Sequence, residues 1–278
     1  MLTLHAGDSV LTVAPERGGA LMGWSCGADQ LLATSREVGC FPLVPYANRI
    51  AFGRFRWDGT AYRLPLNFGD HPHSIHGVGW QTPWVVAASD ARSVRLVLSH
   101  DGSGGWPFPF EAAQTFALDP EALTVTLRVT NRHTGPAPAG LGLHPFFPRP
   151  ATASLRFAAE TAWLNDATAL PVRSVPLPPG WDHADGRAVG GEALDNCFSG
   201  WDGTASLDLG DVQLRIEASA AFGHLQVYTP AARDFFCVEP VTHAPDAINR
   251  GGMTVLPHGE SLEGTVRFSV EAQSEPRS

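Results

Sequence analysis

The chain has 278 residues, 44% of them hydrophobic, and a formal net charge of −9. That balance argues against a nucleic-acid binder, which carries a basic face. All 19 cations counted as Lys or Arg are arginines, so a Schiff-base lysine, a pyridoxal-phosphate anchor and a P-loop lysine are excluded.

The 29 glycines and 23 prolines exceed the ~12% that these residues usually make up together. High turn content with an ordinary apolar fraction favours many short strands over long helices. All-β chains often reach ~250 residues as one unit, so one domain over 1–278 is expected. The four cysteines, Cys26, Cys40, Cys197 and Cys237, fit no metal-ribbon or CxxC spacing. Cys26 and Cys237 stand among small or apolar neighbours, where a free thiol packs as a small hydrophobe. Met1–His5 has no basic region leading into an apolar run, and no stretch approaches ~18 uninterrupted apolar residues. The expectation is a reduced, cytoplasmic protein without a signal peptide or a membrane partner.

In chain order, Leu2–Ala6 and Ser9–Val13 read as a hairpin around Gly7-Asp8, with glycine where positive φ is needed. Leu123, Val125, Leu127 and Val129 alternate with Thr124, Thr126, Arg128 and Thr130. The same period of two marks Val212, Leu214 and Ile216, and again Val266, Phe268 and Val270. Alternation puts one face in a core and the other towards water or a polar groove. No long amphipathic helix is predicted, only a turn near Pro245–Asn249. Residues Pro171 to Asp195 are rich in breakers and predict a long irregular loop. Gln273–Ser278 is polar and expected to fray. Together these predict an all-β, large antiparallel domain.

Five clusters could carry chemistry. In His71-Pro72-His73-Ser74-Ile75-His76-Gly77, neither strand nor helix spacing brings the three histidines together, and no nearby Cys or Glu completes a metal set. His76 suits a substrate-facing imidazole, with Gly77 and Gly79 letting backbone approach a ligand. His144 lies in the apolar run Leu141–Phe147. Desolvation there disfavours its charge and a carboxylate partner would restore it, as an acid or base near neutrality requires. Glu239 follows Phe235-Phe236-Cys237-Val238. At a pocket rim its pKa would rise, and Pro240 would end the strand. Arg49, in Tyr46-Ala47-Asn48-Arg49-Ile50, offers a forked donor to paired hydroxyls or a carboxylate. Asp195 could accept from ligand hydroxyls, or form a simple Asx turn. Trp80, Trp84, Trp106, Trp163, Trp181 and Trp201 offer flat faces to a sugar, although core packing is their commoner use.

In this order the motifs resemble the aldose 1-epimerase, or galactose mutarotase, family: Asn48-Arg49-Ile50 with Gly53-Arg54-Phe55, His76-Gly77, His144-Pro145-Phe146-Phe147, Leu194-Asp195, and Glu239-Pro240 with Pro245-Asp246-Ala247. The resemblance spans about residues 40–250. It implies a galactose mutarotase-like supersandwich, a large antiparallel β-sandwich with a carbohydrate groove on one sheet. It also implies interconversion of the anomers of a free aldose without cofactor or metal. By the same resemblance Glu239 is the catalytic base, His144 the catalytic acid, and His76, Arg49 and Asp195 orient sugar hydroxyls. The expected partner is a monosaccharide, and the chain a monomer or homodimer. Mutarotation removes the C1 hydroxyl proton while the ring oxygen gains one, so carboxylate and imidazole are required about one sugar ring apart. Three other readings stay open. One is a hexose-6-phosphate epimerase using Arg54, Arg56 and Arg63. Another is a sugar-binding or sensor module, which need not keep both Glu239 and His144. The third is a metal-dependent hydrolase built on His71, His73 and His76.

Overall fold

The computed structural model describes residues 1–33 and 38–271; the fraying expected at Gln273–Ser278 lies outside them. Two large antiparallel sheets dominate. In spatial order the first runs through Leu2–Ala6, Ser9–Ala14, Ala20–Cys26, Cys40–Leu43, Gly142–Pro148, Phe235–Val241, His224–Tyr228, Asp195–Ser199, Thr161–Asn165 and Pro171–Pro176. The second runs through Val85–Ser89, Ser93–His100, Phe110–Asp119, Ala122–Asn131, Ser261–Glu271, Gln213–Ala218, Thr204–Asp208, Ser154–Phe157 and Arg187–Ala188. The α-helix among the described residues is the four-residue turn Ala247–Arg250, which overlaps the predicted turn region and ends one residue beyond it. No helix there is long and apolar enough to cross a membrane.

The period-two pattern explains the sandwich. Leu123, Val125, Leu127 and Val129 are buried, whereas Arg128 between them is exposed. Their buried face meets the first sheet in one core that includes Trp24, Leu143, Phe147 and Val238 on one side and Leu96, Phe116 and Phe268 on the other. The Phe268 ring lies 6.5 Å from Trp24 and 6.3 Å from Phe147. Full burial of each such side chain contributes ~1.5–3 kcal/mol. The opening hairpin forms as read, with Ala6 opposite Ser9.

Two expectations need correction. The breaker-rich segment is not irregular throughout. Pro171–Pro176 is the last strand of the first sheet, paired to Thr161–Asn165, and Arg187–Ala188 pairs with Ser154–Leu155. An edge strand bonds on one side only, so prolines that cannot donate are tolerated. Nor does Pro240 end its strand, which runs to Val241 with every residue buried. The ladder to Gly142–Pro148 is instead interrupted between the pairs Gly142–Val241 and Phe146–Cys237. That stretch holds Pro145 and Pro240, neither of which has an N–H to give.

Candidate active site

The outer face of the first sheet is covered where residues 44–81 cross it. This segment supplies Asn48, Arg49, His71, His76 and Trp80 to a cavity of about 340 Å³, and the sheet supplies Phe41, His144, Asp195, Tyr228 and Glu239. Strand register builds the floor. Phe41 pairs with His144, Glu239 with Gln226, and Gln226 with Cys197. Counting inward from the Gly142–Val241 and Phe146–Cys237 pairs places His144 opposite Glu239. A parallel row runs Phe146, Cys237, Tyr228 and Asp195. Side chains two apart share a face, so both rows project the same way.

At the centre, His144 Nε2 lies 3.4 Å from Glu239 Oε1. The two residues are 9% and 2% exposed. Glu239 therefore sits on the cavity floor, not at a rim, and in contact with His144 rather than one sugar ring from it. The closer spacing is compatible with the expected anomer exchange, in which the two proton-exchanging oxygens would be bonded to the same carbon. Burial pushes the Glu239 carboxyl well above its ordinary value; the Asp195 charge adds to this and Arg49 opposes it. Glu239 Oε2 has no hydrogen-bond partner among the described residues. The His144 ring stacks against both Phe41 and Phe146, each centroid 4.6 Å away.

His76 is set by its backbone. It and Gly77 both have positive φ, 62° and 71°, a region few side-chain-bearing residues adopt. The turn lets the Asn48 N–H donate to His76 Nδ1 at 3.2 Å. An accepting Nδ1 places the proton on Nε2. Burial, then the charges of His144, Arg49 and His71, hold its pKa well below the usual value. His76 is thus a neutral imidazole with an Nε2–H to offer. The neighbouring glycines serve another purpose than the expected ligand approach. A Cβ on Gly77 would fall 2.2 Å from Val44 O, and one on Gly79 2.3 Å from Val44 Cγ1. They admit the Val44 chain.

Arg49 Nη2 donates to Asp195 Oδ2 at 2.8 Å, and Nη1 to Asn48 Oδ1 at 3.1 Å. Its Nε donates to His71 Nε2 at 3.3 Å. Gln226 Nε2 holds the other Asp195 oxygen at 2.8 Å. Three of the five guanidinium protons are engaged, and each carboxylate oxygen keeps a further lone pair, so both groups can still bind ligand hydroxyls. The Pro245-Asp246-Ala247 motif clamps this segment: Asp246 N–H donates to Arg49 O at 2.7 Å, and its Oδ1 accepts from Ala51 N–H at 3.0 Å.

All five candidate site residues, Arg49, His76, His144, Asp195 and Glu239, line one cavity. The histidine triplet does not converge on a metal. His73 Nδ1 accepts from Phe52 N–H at 3.0 Å and its Nε2 lies 3.1 Å from Thr168 O, so both nitrogens serve backbone. Among the described residues the donors near enough to share an ion are those of His144, Cys237 and Glu239, all within 4.8 Å of one another. Arg54, Arg56 and Arg63 lie exposed on the hairpin Arg54–Trp57/Thr60–Arg63 and flank a different, open cavity; none lines the site. Of the tryptophans, Trp80 reaches the cavity, while Trp84, Trp106 and Trp201 are core. Gln226 was not among the sequence candidates. Its signal was a polar residue between Leu225 and Val227, but its place beside Glu239 depends on register.

A family model described as aldose 1-epimerase matches residues 1–269. YphB of Escherichia coli K12, named an uncharacterized protein, is 32% identical over 97% of this chain and 98% of its own. Galactose mutarotase of Rattus norvegicus is 33% identical over 55% of this chain and 47% of its own length. A crystal structure from Escherichia coli K12 superposes with a TM-score of 0.90 at 31% identity, covering 97% of this chain and 98% of that one. Galactose 1-epimerase from Lactobacillus acidophilus shares the fold, with a TM-score of 0.81 at 19% identity over 97% and 93% of the two chains. The chain belongs to the aldose 1-epimerase family.

Proposed function

We propose that the chain interconverts the α and β anomers of a free aldohexose, with Glu239 as base and His144 as acid. The observation that carries this reading is the 3.4 Å contact between the two groups on the floor of the cavity. Its volume falls in the range of small-ligand sites. Glu239 takes the C1 hydroxyl proton as His144 gives one to the ring oxygen. The C1–O5 bond opens, the aldehyde turns about C1–C2, and closure on its other face yields the opposite anomer. The pair begins as carboxylate and imidazolium and ends as carboxylic acid and imidazole, holding one mobile proton throughout. Closure runs the transfers backwards, so neither direction needs an outside proton. Each transfer contributes ~10²–10⁴-fold.

Arg49, His76 and Asp195 orient the hydroxyls in this reading. His76 suits the task as a neutral donor that does not compete for the mobile proton. Phe41, Trp80 and Tyr228 offer the ring apolar faces. A free sugar fits better than a phosphorylated one, because Arg54, Arg56 and Arg63 lie outside the cavity. The Arg49 fork, moreover, is already shared among Asp195, Asn48 and His71.

Polarimetry of freshly dissolved α-D-glucose, α-D-galactose and glucose 6-phosphate tests the proposal. Acceleration of a free sugar that Glu239→Gln abolishes is the expected result. Acceleration of the phosphorylated sugar alone would overturn the substrate class.

A further inference from the structure

Cys237 has no part in anomer exchange, yet it lies beside the two groups that do. It is fully buried and packs with Phe146 and Phe235, which line the cavity beside Glu239. Strand parity puts it on the same face as Glu239, two residues away, and register puts it one rung along from His144. The ligand atoms of His144, Cys237 and Glu239 all lie within 4.8 Å of one another.

We propose that His144, Cys237 and Glu239 form a capture site for a thiophilic divalent cation of the zinc class, and that an ion held there silences the enzyme. Imidazole, thiolate and carboxylate are the donors that zinc takes, and three of them leave a fourth position open. Bond lengths of ~2.0–2.3 Å place tetrahedral ligand atoms roughly 3.3–3.8 Å apart. The His144–Glu239 separation of 3.4 Å already matches such an edge, and the thiol must close by about an ångström or less. The buried Glu239 Oε2, without a hydrogen-bond partner among the described residues, is a second sign that this carboxylate has an oxygen left to bind a further group. The fourth position opens to the cavity, where water or a sugar hydroxyl can complete the shell. Coordination releases the thiol proton to solvent. It also occupies the lone pairs by which His144 and Glu239 exchange protons, so metal and turnover exclude each other. The silencing rests on the acid–base reading above; the coordination does not.

Cobalt(II) titration of the full chain separates the two. The wild type should bind Co²⁺ with a near-ultraviolet thiolate-to-cobalt band that Zn²⁺ abolishes. Cys237→Ala should lose that band and weaken Zn²⁺ binding on the order of 10–100-fold or more, while its mutarotation in EDTA matches wild type. Cys26→Ser, which alters the half-exposed thiol, should keep the band. If Cys237→Ala does not fold, His144→Gln serves in its place and should weaken Co²⁺ binding by a similar factor. No thiolate band in the wild type, or wild-type affinity in the folded Cys237→Ala or His144→Gln protein, would overturn the proposal. In EDTA-free buffer micromolar Zn²⁺ should inhibit wild type but not Cys237→Ala. Equal inhibition of both would overturn the silencing.

Discussion

The strands Ala122–Asn131 and Phe235–Val241 are both central, antiparallel and apolar, yet they differ in what lies on their outer faces. In Ala122–Asn131 that face carries half-buried Thr124 and Thr126 and exposed Arg128. Polar groups there keep access to water, and their cost is small. In Phe235–Val241 both faces are buried, and the outer one carries Glu239 beside His144 and Gln226. A carboxyl buried without full hydrogen bonding opposes folding. It persists where something other than stability retains it, and chemistry is the economical reason. A polar residue on a half-solvated strand thus says little, whereas one on a doubly covered strand marks a site.

The largest expected effect breaks the second strand's polar row. Glu239→Gln should slow mutarotation ~10²–10⁴-fold in polarimetry while raising the melting temperature at neutral pH. The sign follows from the raised carboxyl pKa. Stability contributed by such a group is present below its unfolded value and lost as pH rises through its folded value. Replacing it by a neutral isostere relieves that loss. A lowered melting temperature would contradict the assignment of Glu239 as a strained buried base.

Next in size, Leu127→Ala attacks the other strand's inner face, where the side chain is fully buried. It should cost ~2–5 kcal/mol in chemical denaturation, with kcat unchanged in the surviving folded protein. A third test uses pH. As the proposed base Glu239 would act in its ionised form, so kcat/KM should fall on acidification at pH values above the ~4.3 of an ordinary glutamate. Asp195→Asn removes one of the causes that push the carboxyl up and should move this acid limb to lower pH. An unmoved limb would assign it to another group. The smallest effect belongs to the solvated face, where Thr126→Ala, which removes a hydroxyl 3.0 Å from Thr265 Oγ1, should cost only ~0.5–1.5 kcal/mol and leave activity intact.

Much of this contrast is legible in the sequence. The alternation at Leu123–Val129 shows the buried face of its strand directly, because period two is a local property. The five site residues stand out because polar types interrupt apolar or Pro/Gly-rich runs, and their order matches a family. What the sequence does not carry is register and cover. That Gln226 sits beside Glu239 follows from the register of the hairpin His224–Tyr228/Phe235–Val241, and that Cys237 lies one rung from His144 follows from pairing strands distant in the chain. The same limit explains two misreadings. Pro240 looks like a strand terminator because proline cannot donate, but here the ladder is interrupted where donors are missing. Gly77 and Gly79 look like ligand-facing glycines, yet what they admit is Val44, its carbonyl oxygen at Gly77 and its side chain at Gly79, more than thirty residues earlier.

The central claim is that Glu239 and His144 work as one proton-exchanging unit, and a double-mutant cycle tests it most directly. Exchange between the anomers of glucose at equilibrium, followed by NMR magnetisation transfer, would be measured for Glu239→Gln, His144→Gln and the double variant. Groups that act as a unit are non-additive, so the double variant should be no slower than the slower single one. Losses that multiply would contradict the account, showing two groups that act independently.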